Sequence, residues 1–101
     1  MNRNTGDQVG DVVIWENDQF RVWDQTIAPG ETVGPHVHDH DYFIVTLEAT
    51  PIRSDEIGEP RSEFEVITPE LTWVKSNGEE HTATNLDPDK RWRNLIIEVK
   101  S

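Results

Sequence analysis

The sequence has no cysteine and a single methionine, and its cations are scarce: nine Lys or Arg stand against 20 Asp or Glu. Without cysteine there is no disulfide framework and no thiolate for catalysis or metal binding. The formal net charge of −11 makes a surface that repels phosphate backbones and anionic lipid, so neither nucleic acid nor a membrane is expected as a partner. No apolar run approaches the roughly 20 residues of a membrane-spanning helix. The segment Met1 to Gln8 lacks the apolar stretch of a secretory signal. A soluble, cytoplasmic protein is the expectation. Helix signals are missing too, since no window carries a sustained 3.6-residue apolar period with caps.

Enough apolar material remains for a core. Ten Val, eight Ile, four Leu and three Phe make 25 of the 101 residues, above the roughly 20% below which a charged chain stays disordered. Four Trp add bulk. The length fits one domain with one core. Residues 1–10 are polar and are expected to fray, which leaves 11–101 as the domain.

Within it the pattern is strand after strand. Val12 to Trp15 is β-branched and aromatic, and Phe20 to Ile27 alternates, with Arg21, Trp23, Gln25 and Ile27 on one side. Pro29-Gly30 signals a type II turn. A long strand is expected from His36 to about Thr50, then a polar loop over Ser54 to Pro60. Phe64 to Ile67 and Leu71 to Val74 follow as strands. Asn77-Gly78 reads as a type I′ hairpin turn, His81 to Asn85 as a short strand, and Arg91 to Lys100 as the closing strand. Many short strands at even spacing mean a sandwich or barrel.

The chemistry lies with the histidines. His36 and His38 are two apart on a strand, on one face and about 7 Å apart, within reach of one ion. His40 shares their parity but stands about 13 Å from His36, too far to join without a bulge. The remaining histidine, His81, supplies the third imidazole. Three imidazoles from two strands can hold one divalent metal and leave coordination positions open. Asp39 and His40 read as a solvated rim, and Asp41 as a strand-face charge with orientation of an imidazole as the alternative. Tyr42 reads as a core aromatic or, beside an open metal position, as a hydrogen-bond donor to ligand and so a candidate catalytic residue. Trp15, Trp23, Trp73 and Trp92 read as core or interface aromatics, and Lys90, Arg91 and Arg93 as strand-end charges.

Two segments resemble the paired motifs of the cupin superfamily. Gly30, five residues, then His36-x-His38 resembles the first; Gly78-x-x-His81-x-x-x-Asn85 resembles the second. The run His36-x-His38-x-x-Asp41-Tyr42 looks like a subgroup of small single-domain cupins, some named for β-alanine catabolism. The resemblance implies a small antiparallel β-barrel, the double-stranded β-helix or cupin jelly roll. It also implies His36, His38 and His81 as inward metal ligands, with Gly78 and Asn85 structural. The sequence departs from the pattern in four places. Tyr42 or Phe43 stands where a ligand glutamate is usual, Glu48 and Ala49 where a glycine follows, Ser76 for a proline and Glu70 for a glycine.

Iron, manganese, nickel or zinc would suit such a site. Three neutral imidazoles leave the ion's charge uncompensated, so a small anionic ligand such as a carboxylate, 2-oxo acid or hydroxy acid is expected, with binding weakening below about pH 6.5. A metal-dependent enzyme and a non-catalytic binding or sensing module both fit. A core this small also favours a homodimer.

Overall fold

The computed structural model describes residues 4–56, 62–65, 70–76, 78 and 80–100. Nine strands lie among them: β1 (Val12–Glu16), β2 (Phe20–Ile27), β3 (Thr32–Val37), β4 (Asp41–Glu48), β5 (Pro51–Glu56), β6 (Ser62–Glu65), β7 (Glu70–Val74), β8 (Glu80–Asn85) and β9 (Trp92–Val99). They form a five-stranded sheet, β1-β2-β9-β4-β7, and a four-stranded sheet, β3-β8-β5-β6, each with antiparallel pairing throughout. The described residues contain no helix. The expected all-β barrel is the fold observed.

Alternation decides which side chains enter the barrel. Along β2, Trp23, Gln25 and Ile27 are buried; along β9, Trp92, Asn94, Ile96 and Glu98 are. Pairing puts Trp23 opposite Ile96, Gln25 opposite Asn94 and Ile27 opposite Trp92. The apolar part of the core falls into two clusters, Val9, Trp23, Tyr42 and Ile96 at one end, Ile27, Val33, Ile52 and Trp92 at the other. Each such side chain contributes roughly 1.5–3 kcal/mol on burial. Glu98 is buried with a partner: it accepts the Trp23 indole N–H and lies 3.7 Å from Arg21 Nη1.

Pro29-Gly30 turns as expected, with Gly30 at φ 73° and Glu31 N donating to Ala28 O at 2.9 Å. Asn85 holds this corner. It is fully buried, and its Nδ2 donates to Ile27 O at 3.0 Å and Lys90 O at 2.8 Å. That gives the Asn of the second motif its structural task.

Four local expectations are corrected. The strand from His36 to Thr50 is broken at 38–40, and its halves β3 and β4 belong to different sheets; the sequence carries no Gly or Pro there to mark the crossing. Ser54, Asp55 and Glu56 extend β5 instead of opening a loop, while residues 57–60 lie outside the described residues. Likewise β6 covers Ser62–Glu65, and Val66 and Ile67 lie outside them. Gly78 has the positive φ expected, 75°, but β7 and β8 lie in different sheets, so the turn is not a hairpin; Asn77 is outside the described residues. Finally, residues 4–10 pack where fraying was expected. Val9 is fully buried and Asn4 nearly so, and the Gly6 backbone bonds to Pro35 O at 3.3 Å and Val37 N at 2.8 Å. Backbone bonding needs no apolar side chain, so polar composition does not reveal it.

Candidate metal centre

β3 and β8 pair so that His36 stands directly opposite His81, and His38 follows just past the end of β3. A register shift between Val33 and His36 brings this about. It lies at Gly34, whose φ is 95° and whose peptide to Pro35 is cis. A Cβ on Gly34 would stand 2.6 Å from His81 O and 3.3 Å from His36 Nδ1. Only glycine fits between the two ligand strands. The Gly-Pro pair just before His36 was the available signal for this, and spacing arguments alone passed over it.

The three rings converge. Their centroids lie 4.6–5.0 Å apart, and one nitrogen from each falls within 4.8 Å of the others. His36 Nε2 and His81 Nε2 face each other at 2.8 Å; two nitrogens sharing an ion at about 2.1 Å and a right angle stand about 3.0 Å apart. His36 Nδ1 is 3.0 Å from Asn4 O. A carbonyl only accepts, so the proton sits on Nδ1 and the Nε2 lone pair faces inward. His38 Nδ1 is buried with no hydrogen-bond partner among the described residues, a state that a cation at the centre relieves. The donor set fits a divalent transition metal.

Electrostatics agree. Burial, then the nearby His81 charge, pushes His36 down to about 4 against the pull of the Asn4 carbonyl. Burial, then His36 and His81, pushes His38 to about 2, and burial lowers His81 as well. The rings are neutral at neutral pH, the form that binds metal. His36 and His38 stay neutral well below 6.5, so proton competition at these two rings begins lower than unperturbed histidine implies.

The other candidates fall where their geometry dictates. Tyr42 is buried and stacked on His38, with ring centroids 3.8 Å apart. Phe43 points the other way and leans on Trp73 at 4.7 Å. Asp41 Oδ1 accepts Ser76 N–H at 2.8 Å, and Ser76 Oγ donates to His38 O. Serine in place of proline thus ties β4 and the His38 backbone together, using an N–H that proline lacks. Neither Asp41 nor the half-buried His40 joins the cluster; among the described residues it consists of His36, His38 and His81. Arg91 pairs with Glu48 at 2.7 Å and Arg93 with Asp24 at 3.1 Å, surface pairs that solvent and salt screen.

His36, His38, His81 and Tyr42 line part of a cavity of about 380 Å³ between the sheets. Ile44, Val74 and Ile96 wall it, and Gln25, Thr46, Asn94 and Trp92 line it further in.

No family model matches the sequence, and no curated protein matches it. The fold has solved counterparts. A cupin domain from Bordetella pertussis Tohama I superposes with TM-score 0.81 at 22% identity, over 89% of this chain and 91% of its own. An uncharacterised conserved protein with a double-stranded β-helix domain from Klebsiella pneumoniae gives 0.68 at 16% identity, over 87% and 73%. A cupin superfamily protein from Desulfitobacterium hafniense DCB-2 gives 0.66 at 13%, over 89% and 75%. The architecture of this chain is that of the cupin domain, a double-stranded β-helix.

Proposed function

We propose that this chain is a metal-binding cupin. It holds one divalent transition metal (iron, manganese, nickel or zinc) on His36, His38 and His81, and takes a small carboxylate, 2-oxo acid or hydroxy acid as its ligand. One observation carries the reading: ring nitrogens of two buried histidines and one half-buried one lie within 4.8 Å of one another in the lining of a cavity. An ion with three neutral protein ligands supplies a Lewis acid that attracts and polarises an anionic oxygen. The chain does the rest. Asn4 O fixes the His36 ring, Gly34 allows β3 and β8 to meet, and Ile44, Val74 and Ile96 keep water from the ligand. Tyr42, which lines the same cavity, is our candidate to donate a hydrogen bond to a ligand oxygen.

A specific observation favours a second reading, holding without turnover. Among the described residues the lining contains no Asp, Glu or Lys, so Tyr42 is the candidate there for proton transfer beside the ligand histidines. The first test is elemental analysis of untagged protein. It should show up to one transition metal per chain, and metal content equal to wild type in His36→Ala/His38→Ala would sink the assignment. Calorimetry with a carboxylate panel follows, and absence of metal-dependent binding would remove the anionic ligand.

The assembly we propose is a homodimer joined through the outer face of the five-stranded sheet. Trp15 and Val22, Val22 and Ile97, Ile97 and Phe43, and Phe43 and Trp73 are cross-strand partners, one apolar row over five strands. Val12, Leu95, Val45 and Leu71 form a parallel row interrupted by Asp24. Trp15, Trp73 and Leu71 are 53%, 49% and 66% exposed. Three strands of eight residues between edge strands of five make a face roughly 24 Å across and about 17–26 Å along the strands, of the same order as the ~800 Å² that each partner buries in a stable pair. On or next to its strands β2 and β9, Arg21, Arg91, Arg93 and Lys100 are paired with acids. Two copies of an acidic protein can therefore meet there without facing like charges.

A further inference from the structure

Inside the barrel the five-stranded sheet presents an apolar row, Trp23, Ile96 and Ile44, and then a polar one. Gln25, Asn94 and Thr46 are direct neighbours across β2, β9 and β4. They are 3%, 0% and 3% exposed, and all line the cavity.

A series of bonds fixes how the amides are turned. Gln25 Nε2 donates to Val9 O at 3.2 Å, so Gln25 Oε1 faces Asn94 and accepts from Asn94 Nδ2 at 3.2 Å. Asn94 Oδ1 is thereby left buried with no hydrogen-bond partner among the described residues. Two residues along the same face of β9, Trp92 Nε1–H is buried and equally unpartnered. An acceptor and a donor are thus held ready in one cavity, on residues about 7 Å apart along the strand. Buried groups of this kind are rare in a finished fold and mark a place where something else supplies the bond.

We propose that this row is a second binding subsite, one that selects a ligand bearing a neutral group with both a donor and an acceptor, a primary amide or a hydroxyl, at the end remote from its carboxylate. The inference rests on the anionic ligand proposed above and adds the other end of that molecule. Charge at that end is disfavoured, because among the described residues the lining holds no Lys or Arg and an unpaired buried carboxylate is costly. Length follows from the strand. Tyr42 stacks on His38, and Thr46, beside Asn94, lies four residues along β4, about 13 Å. Subtracting about 2 Å for a metal–oxygen bond and about 3 Å for a hydrogen bond leaves about 8 Å from the metal-bound oxygen to the far hydrogen-bonding atom, some six to seven bonds with the carbon–oxygen and carbon–nitrogen ends counted. The monoamide of adipic acid has that length and one charge.

The test uses zinc-loaded protein titrated with adipic acid monoamide, adipate and heptanoate by calorimetry, with the Trp92 indole N–H followed by NMR. The monoamide should bind at least roughly 10-fold tighter than either of the others and move the Trp92 resonance. Asn94→Leu should abolish that preference; should it fail to fold, Trp92→Phe, which keeps a ring and removes the donor, should show the same loss by calorimetry. A second arm needs no metal: neutral pentanamide at millimolar concentration should shift the Trp92 resonance saturably in the metal-free protein. Equal affinity for the three acids, or a Trp92 signal that pentanamide leaves in place, would overturn the subsite and assign its hydrogen bonds to water. If pentanamide shifts Trp92 while no carboxylate binds the zinc-loaded protein, the subsite stands and the anionic ligand fails.

Discussion

On the outer face of the five-stranded sheet, Trp15, Val22, Ile97, Phe43 and Trp73 make one row across all five strands. On the inner face, Gln25, Asn94 and Thr46 make another, across three. Antiparallel sheets usually place apolar side chains inside and polar ones in water. Here one row on each face does the reverse. Each inversion costs free energy in an isolated monomer, outside through exposed tryptophan and inside through unpaired amide and indole groups. The two costs have different remedies: the outer face needs a covering surface, and the inner one needs a molecule small enough to enter. On the reading proposed above, one sheet serves assembly on one side and recognition on the other, and its two sides should be separable by mutation.

The sharpest separation comes from the metal ligands. His36→Ala/His38→Ala should abolish metal binding, read by elemental analysis, while light scattering returns an unchanged dimer mass. The converse variant, Trp15→Glu/Trp73→Glu, should give a monomer at micromolar concentration with metal content intact. A monomeric wild type would break the comparison at its outer side. Next in size is Gly34→Ala, which forces a side chain into positive φ and against His81 O. It should cost about 1–3 kcal/mol in denaturant unfolding and weaken metal binding without altering the dimer.

Acid should act on the inner side alone. The unfolded chain protonates its histidines near 6.5, whereas burial holds His36 near 4 and lowers His38 and His81 too. Between those values the unfolded state binds more protons, so metal-free stability is present above pH 6.5 and declines as pH falls toward 4. A flat profile of midpoint denaturant concentration over that range would contradict buried neutral rings. The smallest effect belongs to His40→Ala, expected to keep full metal content and to change stability by less than about 0.5 kcal/mol.

Much of this was legible in the sequence because it depends on period and spacing. Alternation over Phe20 to Ile27 separated the two faces of β2 without saying which turns inward, and the intervals joining Gly30, His36, His38, Gly78 and His81 located the three-histidine cluster. What stayed hidden depends on partners distant in sequence. The chain crosses between sheets at 38–40 without a Gly or Pro, and the signal at Gly78 states a backbone angle but not which sheet receives the next strand. Val9 is one apolar residue in a polar segment, buried because the Gly6 backbone bonds beside His36. Gln25, Asn94 and Thr46 gave no warning, since two amides and a hydroxyl become a row only when β2, β9 and β4 come into register.

The positions of Asn4, His36 and His81 along the chain have a consequence in time. The bond between Asn4 and His36 spans 32 residues and the contact between His36 and His81 spans 45. Contacts of such long sequence separation form only after the intervening loops have closed, late in folding. A metal ion that needs all three rings then finds no site in the early chain and lowers the energy of the finished state alone. It should therefore leave the folding rate almost unchanged and slow unfolding, a latch that engages after the door has shut.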